Sequence, residues 1–520
     1  MASITHHRDK KTGAIYRYRV ESYWDKEKKA PRNKQVYLGK VDPHTGELVS
    51  SKTRKGNPTV VSKDSNTTLI SKIVGPYLIL EQISKKLKLD HLISKCFGQE
   101  APMIQSLVYF LVQKGLALSR VEPWSMASLH PFADYISSQN VSELLRSVDE
   151  AMRQRFFALW LSEVAERDCL CYDITYISSY GRNNEYLHWG YNRDGEPLEQ
   201  VNVAMLFGQN YKYPVYYRRL PGNISDVATL KKTLGSLNFL KFSSMHLVLD
   251  RGFYSQANVD ALYKDRHKFT IAVPAGRKWV ESIFDEHYEF IASPRNYLKT
   301  GKDEALYAST SLYKWGNNNH RLYVHVYYNA EHAANNYDAF TRKLIALKAE
   351  LLSGKPIQAH EKLYERYFII KQTPKRGLSI EFNDEEILKF RKRYSGFFCI
   401  ISNKIKQADE ALSVYRGKDI VENCFDDLKN HLDMKRLRVH GSEAMDTRLF
   451  LQFLALIYVS EIRQVSKTND KLKYLSVREV MEHMESLSEI KSSAKAKVML
   501  TETSPLQRQI LEAFEVEVQT

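Results

Sequence analysis

The sequence contains few cysteines, no long apolar run and no apolar N-terminal segment. Its five cysteines include no Cys-x2-Cys pair, so neither a disulfide framework nor a structural zinc site is expected, and a reducing cytoplasm fits best. Residues 1–11 are polar and charged, which predicts no secretory signal. The longest apolar stretch, residues 449–459, is interrupted by Gln452 and is much shorter than the roughly 20 residues of a membrane helix. We therefore expect a buried core helix there and no membrane partner.

Acidic residues are also in deficit. There are 61 Asp and Glu residues against 76 Lys and Arg residues, which gives a formal net charge of +15. This balance favours a polyanionic partner, either nucleic acid or an acidic membrane surface, without choosing between them. The excess is concentrated at the N-terminus, where residues 1–72 hold 16 Lys and Arg against 7 Asp and Glu. We interpret this segment as a basic contact arm.

The chain is long enough for several domains, because 520 residues exceed the roughly 250–300 at which one core stops growing. Residues 1–70 are predicted as a basic, strand-rich arm, with alternating strands around a polar turn at 15–41 and a Ser/Thr/Asn-rich linker at 56–68. Apolar spacings of three and four then predict a helical domain over residues 71–166. A DNA-binding helix-turn-helix and a plain helical spacer both fit, since no recognition helix stands out.

Strands dominate residues 167–274, which we predict as the first part of a catalytic core. The pattern indicates three strands, a helix, a strand, a helix and a final strand, at residues 169–177, 186–189, 200–207, 226–237, 245–250, 255–264 and 269–273. This is the order of a ribonuclease-H-like α/β domain with a mixed five-stranded sheet between helices.

The core is predicted to be interrupted. Residues 275–395 have the pattern of a strand-containing insertion domain with a charged helix at 330–352. The second part of the core follows over residues 396–465 and contains a helix at 408–432. Residues 466–520 are predicted as a C-terminal helical region available for dimerisation, although they show no sustained heptad. The predicted fold class is therefore α/β, with mainly helical N-terminal and C-terminal regions around the core.

Two acids stand where catalytic carboxylates are expected. On the strand at 169–177, Asp173 shares a face with largely apolar neighbours, where a carboxylate is costly unless it is ligated or paired. Asp250 ends the apolar strand at 245–250, and acids at the carboxyl ends of strands are where open α/β sheets place active sites. Each residue taken alone is equally consistent with a turn aspartate or a helix cap.

A third acid lies in a polar row on the helix predicted at 408–432. Tyr415, Lys418, Glu422 and Lys429 are separated by three, four and seven positions, and fall within a stripe of roughly 60° at about 100° per residue. An apolar stripe runs beside this row, so the row would lie at the edge of the packed face and line a cleft. The alternative is an ordinary solvated face with charges at helical spacing.

The row resembles the Tyr-x2-Arg-x3-Glu-x6-Lys signature of the insertion-sequence DDE transposases, of the insertion-sequence group four type. Lys418 stands where the family has Arg, which keeps the charge and loses the bidentate phosphate grip of a guanidinium. The resemblance runs in the family's order over about residues 170–430. It covers Tyr172-Asp173-Ile174-Thr175, the turn Gly190-Tyr191-Asn192-Arg193-Asp194, Pro221-Gly222-Asn223 with Asp226, and Asp250-Arg251-Gly252-Phe253.

The resemblance implies a function. Asp173, Asp250 and Glu422 would be catalytic and would hold two Mg²⁺ ions, with Mn²⁺ as a substitute, to cut transposon ends and transfer them to target DNA. Such proteins generally cut and paste through a DNA hairpin. The implied partners are inverted-repeat ends, target DNA and a second copy of the chain in the DNA complex. The implied location is the cytoplasm of a bacterium or archaeon, in association with the nucleoid.

The resemblance also implies DNA contacts. Tyr415, Lys418 and Lys429 would hold phosphates beside the scissile bond and position the strand without reading its sequence. Arg251 is a further candidate DNA contact, but a structural role is the favoured alternative for it and for Asp226.

Two basic segments outside the signature suit a DNA path. Lys435, Arg436, Arg438 and His440 follow the predicted helix, and the arm at residues 8–34 interleaves Lys and Arg with Tyr and Trp. Solvated charge runs are the alternative for any single residue there.

Two other functions fit part of the pattern. Asp173-Ile174-Thr175 suggests an aspartyl-nucleophile phosphatase, but Thr175 occupies the place of the second acid that this chemistry needs. A non-catalytic or domesticated DNA-binding protein derived from a transposase would keep the fold and lose the reaction. The presence of all three acids argues against such a loss.

Overall fold

The structure is a computed structural model. It describes residues 2–9, 14–25, 30–42, 48–49, 70–164, 169–181, 184–190, 197–239, 244–299, 305–373, 377–437, 441–491 and 498–517. The linker at 56–68, the turn residues 191–194, and Arg438 and His440 lie outside the described residues. The chain divides into two compact units, Met1–Ile70 with Lys491–Lys497, and Ser71–Ile490 with Val498–Thr520.

The first unit contains an antiparallel sheet whose strands follow chain order. They are β1 (Ala2–Arg8), β2 (Ile15–Asp25), β3 (Ala30–Val41) and β4 (Leu48–Val49). Aromatic and β-branched residues favour this conformation. Tyr18 of β2 faces Tyr37 of β3, and their ring centroids are 5.4 Å apart. The hairpin predicted at 15–41 is confirmed as β2 and β3, and β1 and β4 extend it on its two sides.

The helical period predicted at 71–166 is confirmed as far as Val164, where the described part of this region ends. A short strand, β5 (Ile70–Ile73), leads into the helices α1 (Gly75–Lys86), α2 (Leu89–Phe97), α3 (Ala101–Lys114), α4 (Val121–Ala127), α5 (Ser138–Ser147) and α6 (Glu150–Val164). Ser137 and Asn140 form a capping box at the start of α5. Gly115, at φ 56°, ends α3 in the left-handed conformation that favours glycine.

The central sheet follows most of the predicted order. Its first elements are β6 (Leu170–Ser179), β7 (Gln200–Gly208), β8 (Pro214–Pro221), α7 (Asp226–Phe239), β9 (His246–Leu249), α8 (Gln256–Lys264) and β10 (Lys268–Val273). The strands β6, β7 and β8 form an antiparallel meander, whereas β9 runs parallel to both β6 and β10. The order β8-β7-β6-β9-β10 has the number of strands expected of the core, and four of these five strands lie where they were predicted.

One strand prediction in this region is wrong. The segment at 186–189 makes an isolated bridge, His188 to Gln200, and the third strand of the meander is β8. The segment crosses close to the end of β8, because a Cβ on Gly190 would lie 2.1 Å from the Gly222 carbonyl oxygen. The sequence conceals β8, since a proline stands at each end and two consecutive arginines interrupt its apolar run.

The predicted five-stranded sheet is too small. After β10 the chain forms α9 (Lys278–His287), β11 (Tyr297–Leu298), β12 (Leu306–Trp315), β13 (His320–Asn329), α10 (Ala330–Leu352), α11 (Glu361–Tyr367), β14 (Phe368–Thr373), β15 (Gly377–Phe382), α12 (Asp384–Arg393) and β16 (Phe397–Ser402). Within the described residues the sheet has ten strands, because a two-residue strand, Arg436–Leu437, pairs with β6, and β16, β13, β12 and β11 continue the sheet beyond β10. This pairing covers the backbone edge that β10 would otherwise expose. The rest of the insertion packs around its own cluster, which includes Phe340, Tyr367 and Ile380.

The last part of the chain covers the sheet and the helices. It comprises α13 (Ala408–Arg416), α14 (Asp419–Asp426), a π-helical turn (Asp427–His431), β17 (Arg436–Leu437), α15 (Ser442–Thr468), α16 (Val477–Met484), β18 (Ser488–Lys491), β19 (Met499–Leu500) and α17 (Pro505–Ala513). The C-terminal region predicted as mainly helical also contains two short strands, β18 and β19, which form a small sheet with β5. Strands of four and two residues are too short to show a period in the sequence.

The buried core helix predicted at 449–459 is confirmed as the centre of α15. Phe450 packs against both Phe97 and Phe156, with ring centroids 5.3 Å apart in each pair. One hydrophobic core therefore joins the helices, the sheet and α15. Among the described residues, α15 has the length and composition of a membrane span, and 78% of its apolar window is buried inside the protein.

Candidate active site

Parallel pairing of two strands brings Asp173 and Asp250 together. The strands β6 and β9 pair through Tyr172 and Leu249; Asp173 is the next residue within β6, and Asp250 directly follows the end of β9. Neighbouring strands lie about 4.8 Å apart, so both carboxylates start from adjacent backbone positions. On this side of β6, the next described pairing is that of Ser178 with β17. The two acids therefore stand where the sheet opens between β9 and β17.

Asp173 is largely withdrawn from water. Burial raises the pKa of Asp173 to about 6, against opposing effects of the hydrogen bond from the Ile174 N–H at 2.8 Å and of the Lys418 charge. The carboxylates of Asp250 and Glu422 raise this pKa further. When the Asp173 carboxylate is ionised, its burial destabilises the fold, and a bound cation would reduce this destabilisation.

Asp250 shows the opposite balance. Burial favours its neutral form, but the Tyr415 hydroxyl donates to Asp250 Oδ1 at 2.6 Å and Lys418 Nζ lies 3.8 Å from the same atom. Together with the neighbouring Arg251 charge, these contacts hold the pKa of Asp250 below its usual value. Two adjacent acids thus differ in proton affinity, a pattern that is enriched at functional sites.

The helix predicted over residues 408–432 is broken, so that prediction is wrong in detail. The Gln209 side chain produces the first break: its Nε2 donates to the Val414 carbonyl at 3.0 Å. In a continuous helix that carbonyl would accept from the Lys418 N–H. The Lys418 N–H bonds instead to the Tyr415 carbonyl at 3.1 Å, one residue closer in sequence, and α13 and α14 become separate helices.

Two features lie at the irregular points of this helix, Gly417 at the break and the Asp427–Arg463 ion pair at the π-helical turn. A Cβ on Gly417 would lie 1.4 Å from Gln209 Nε2, so glycine leaves the room that this contact needs. The π-helical turn after α14 carries the buried Asp427, which forms an ion pair with Arg463 of α15. Burial outweighs the Arg463 charge and raises the pKa of Asp427 to about 6.

The break does not disperse the polar row. Lys418 Nζ donates to Glu422 Oε1 at 3.2 Å and lies between that carboxylate and Asp250. Burial alone would lower the pKa of Lys418, but Asp250, Glu422 and Asp173 together raise it. The Lys418 ammonium is therefore held by the charges of the three predicted acids.

The donor set suits a divalent cation, although the side chains as they stand do not surround one. Among the described residues, no three His, Cys, Asp or Glu side chains lie close enough together to hold a metal ion. The Glu422 side chain is 61% exposed and free to change rotamer, whereas the aspartates are held by the sheet. Carboxylate oxygens are the ligands that Mg²⁺ prefers. The donor chemistry of these three side chains therefore suits such a cation.

The other predicted contacts lie around this group. Lys429 Nζ stacks over the Tyr176 ring, 3.8 Å from its centroid. Arg251 begins a short 3-10 turn directly after Asp250. Asp226 faces Gly252 of that turn, since a Cβ on Gly252 would lie 3.3 Å from Asp226 Oδ2. Arg251 and Asp226 therefore both border the turn that follows Asp250.

Sequence reasoning missed two features of the site. Nothing in the pattern singles out Gln209, and the only signal at its partner is a glycine inside a helical period. Tyr415 was assigned to a phosphate, whereas its hydroxyl here binds Asp250. Both contacts join residues more than 160 positions apart.

Comparison with known proteins gives one match of family type. A family model described as "Transposase DDE domain" matches residues 165–458, a range that includes Asp173, Asp250 and Glu422. Two solved structures are similar at low scores. One is a piggyBac transposase synaptic complex with hairpin DNA, 10% identical with a TM-score of 0.36, covering 79% of this chain and 76% of that chain. The other is a Mos1 transposase paired-end complex with left transposon end, 19% identical with a TM-score of 0.15, covering 26% of this chain and 50% of that chain. No curated protein gives a significant match.

Proposed function

Since this chain belongs to the family of transposase DDE domains, we propose that it cuts DNA at transposon ends and joins those ends to target DNA. The observation that carries the proposal is the register of β6 and β9, which sets Asp173 beside Asp250 with Lys418 and Glu422 next to them. The Tyr-x2-Lys-x3-Glu-x6-Lys spacing at 415–429 favours the cut-and-paste type of insertion-sequence group four.

Asp173, Asp250 and Glu422 would hold two Mg²⁺ ions, for which Mn²⁺ would substitute. When bound, such ions supply an activated water or 3′-hydroxyl and stabilise the leaving oxygen of a phosphodiester. The chain's own part is to position the ligands. The Tyr415 hydroxyl orients Asp250 and favours its ionised form, and β6 holds Asp173 beside it.

The cations of the row would bind DNA phosphates. Lys418 occupies the space between two carboxylates, and its ammonium becomes available to a phosphate when those carboxylates turn to another cation. It would act as a point charge, without the bidentate geometry of the Arg in the family signature. Lys429 and Arg251 would contact the backbone on either side of the scissile bond. The partners of this reaction are transposon ends, target DNA and, to hold two ends together, a second copy of the chain.

A cleavage assay tests this proposal. The substrate is a labelled duplex with the inverted repeats that flank the gene, incubated with Mg²⁺ and either wild type, Asp173→Asn, Asp250→Asn or Glu422→Gln. We expect each substitution to reduce cutting by at least about a thousandfold while end binding, measured by fluorescence anisotropy, is retained. Asp419→Asn is the matched control, because it removes an exposed acid from the first turn of the same helix as Glu422.

Two outcomes would contradict the proposal. Full cutting by Glu422→Gln would show that the row on α14 takes no part in the reaction. Tight binding of the ends without cutting by the wild-type protein, in either Mg²⁺ or Mn²⁺, would identify a DNA-binding protein that has lost the reaction.

A further inference from the structure

A cavity of about 380 Å³ lies apart from the three acids, and a buried arginine lines it. Arg448 of α15 is only 6% exposed, and its Nη1 finds no hydrogen-bond partner among the described residues. A buried guanidinium normally has a carboxylate or carbonyl partner, because an unpaired charge in the interior is strongly destabilising. Asp433 supplies an opposite charge to Arg448, whereas Arg448 Nη1 remains a donor without a partner in the described part of the chain.

The lining of this cavity is basic and polar. Arg146 of α5 and Arg436 of β17 line it together with Arg448, whereas Asp433 is the one acid in the described lining. Ser138 and Ser142, one turn apart on α5, add two hydroxyl groups. Three arginines, one aspartate and several serines in one lining form an environment suited to an anion with several acceptor oxygens, although the Arg436 guanidinium also lies over the Tyr180 ring.

The fold relates this cavity to the strand of Asp173. Arg436 pairs with Ser178 in the parallel ladder of β17 and β6, and Ser178 lies five residues beyond Asp173 on the same strand. Five residues of strand span about 17 Å. Successive base pairs are 3.4 Å apart along a duplex, so this distance corresponds to about five base pairs. The cavity thus lies at a distance that a duplex bound at the acids would reach.

We infer that the cavity around Arg448 is a phosphate-binding pocket that takes a backbone phosphate of the bound DNA. That the phosphate belongs to DNA rests on the proposed function, whereas the ability of the cavity to bind phosphate does not. Inorganic phosphate carries the same tetrahedral group, so it serves as a probe that is independent of DNA cleavage.

The first test is thermal unfolding of the full chain with added inorganic phosphate. A ligand that binds the folded state raises the unfolding temperature with concentration. We expect phosphate to stabilise wild type but not Arg448→Met, which removes the charge with little change of volume. Arg342→Met removes the same charge from an exposed ion pair on α10 and should keep the wild-type response. Equal stabilisation of the wild type and Arg448→Met would overturn the pocket.

A second variant guards against a folding defect at Arg448. Ser142 is exposed on α5, so Ser142→Asp should fold and should place a carboxylate beside the guanidinium. This variant should be more stable than wild type without phosphate and should lose the phosphate response. A Ser142→Asp protein that still responds fully would argue against phosphate binding in this cavity.

The second test identifies the source. Binding of a random-sequence duplex is measured against salt concentration for wild type and Arg448→Met. Loss of one phosphate contact should lower affinity by about tenfold and reduce the slope of log K against log salt by about 0.9. A phosphate response in thermal unfolding with an unchanged DNA slope would keep the pocket and refute the DNA backbone as its ligand. Failure of the wild type to cut transposon ends would refute the proposed function and leave the phosphate response as a separate result.

Discussion

Replacing Asp173 by Asn should stabilise the protein while abolishing its reaction. The asparagine keeps an oxygen that can accept from the Ile174 N–H, and it removes a carboxylate whose pKa burial raises to about 6. The ordinary pKa of an aspartate is 3.8, so the folded state binds this proton more tightly than the unfolded state does. The carboxylate is therefore harmless below about pH 4, and it destabilises the fold increasingly as the pH rises towards 6.

The magnitude follows from the difference between the two pKa values. Each pKa unit corresponds to 1.36 kcal/mol, so the ionised Asp173 costs about 3 kcal/mol at pH 8 and about 1 to 2 kcal/mol at pH 5. Asp173→Asn should recover most of this free energy in the presence of a chelator. The measurement is urea unfolding at both pH values, with Asp419→Asn as the control for removal of one exposed charge. That control should stay within about 0.5 kcal/mol of wild type at both pH values.

Added Mg²⁺ supplies the second half of this test. It should raise the stability of wild type at pH 8 and have a smaller effect on Asp173→Asn, because a bound ion stabilises only a state that can hold it. An Asn variant that is less stable than wild type at pH 8, or whose advantage does not grow between pH 5 and pH 8, would refute the reasoning about Asp173. It would mean that this carboxylate already has a partner that neutralises it.

The remaining predictions concern the neighbouring contacts. Tyr415→Phe removes the hydroxyl that holds the pKa of Asp250 low, so the acid limb of the cleavage profile should move to higher pH, and cutting at neutral pH should fall by about tenfold. An unmoved acid limb would show that the hydroxyl does not tune this acid. Gly417→Ala should lower the free energy of unfolding by about 1 to 3 kcal/mol, because the added methyl group clashes with Gln209. Adding Gln209→Ala to the same chain should restore part of this free energy, which urea titration of both variants measures. Arg463→Met leaves the buried Asp427 carboxylate unpaired and should lower the free energy of unfolding by about 3 to 5 kcal/mol at pH 8. The loss should be smaller at pH 5, where Asp427 can take up a proton, and equal losses at both pH values would contradict this.

Much of the fold is readable from local patterns. The helix predicted at 330–352 coincides with α10, and the buried run at 449–459 lies inside α15. These elements carry long, regular apolar spacings that neighbours in space do not alter. The strand β8 carries no such signal, and nothing local indicates that the strands of the insertion pair with the core beyond β10. Whether a strand forms at an open edge depends on which other segment arrives there, and that information is distributed over the whole chain.

The candidate site likewise has features that local sequence predicts and features that only the folded chain determines. The three candidate acids and their order along the chain were predicted from a strand face for Asp173, a strand end for Asp250 and a helical spacing for Glu422, all of which are local. The difference in proton affinity between Asp173 and Asp250 cannot be predicted locally. It arises from burial at Asp173 and from contacts with Tyr415 and Lys418 at Asp250.

The sequence by itself therefore determined which residue types stand at which strand ends, and the charge and order of the polar row. Only the tertiary structure decided how these residues meet. The break between α13 and α14 depends on the side-chain amide of Gln209, which is 205 positions from its partner Val414. The placement of Asp173 beside Asp250 depends on the pairing of β6 with β9. Local periodicity reports how each segment prefers to bury its own apolar face, whereas hydrogen bonds and charges between distant segments depend on distances that exist only after the chain has folded.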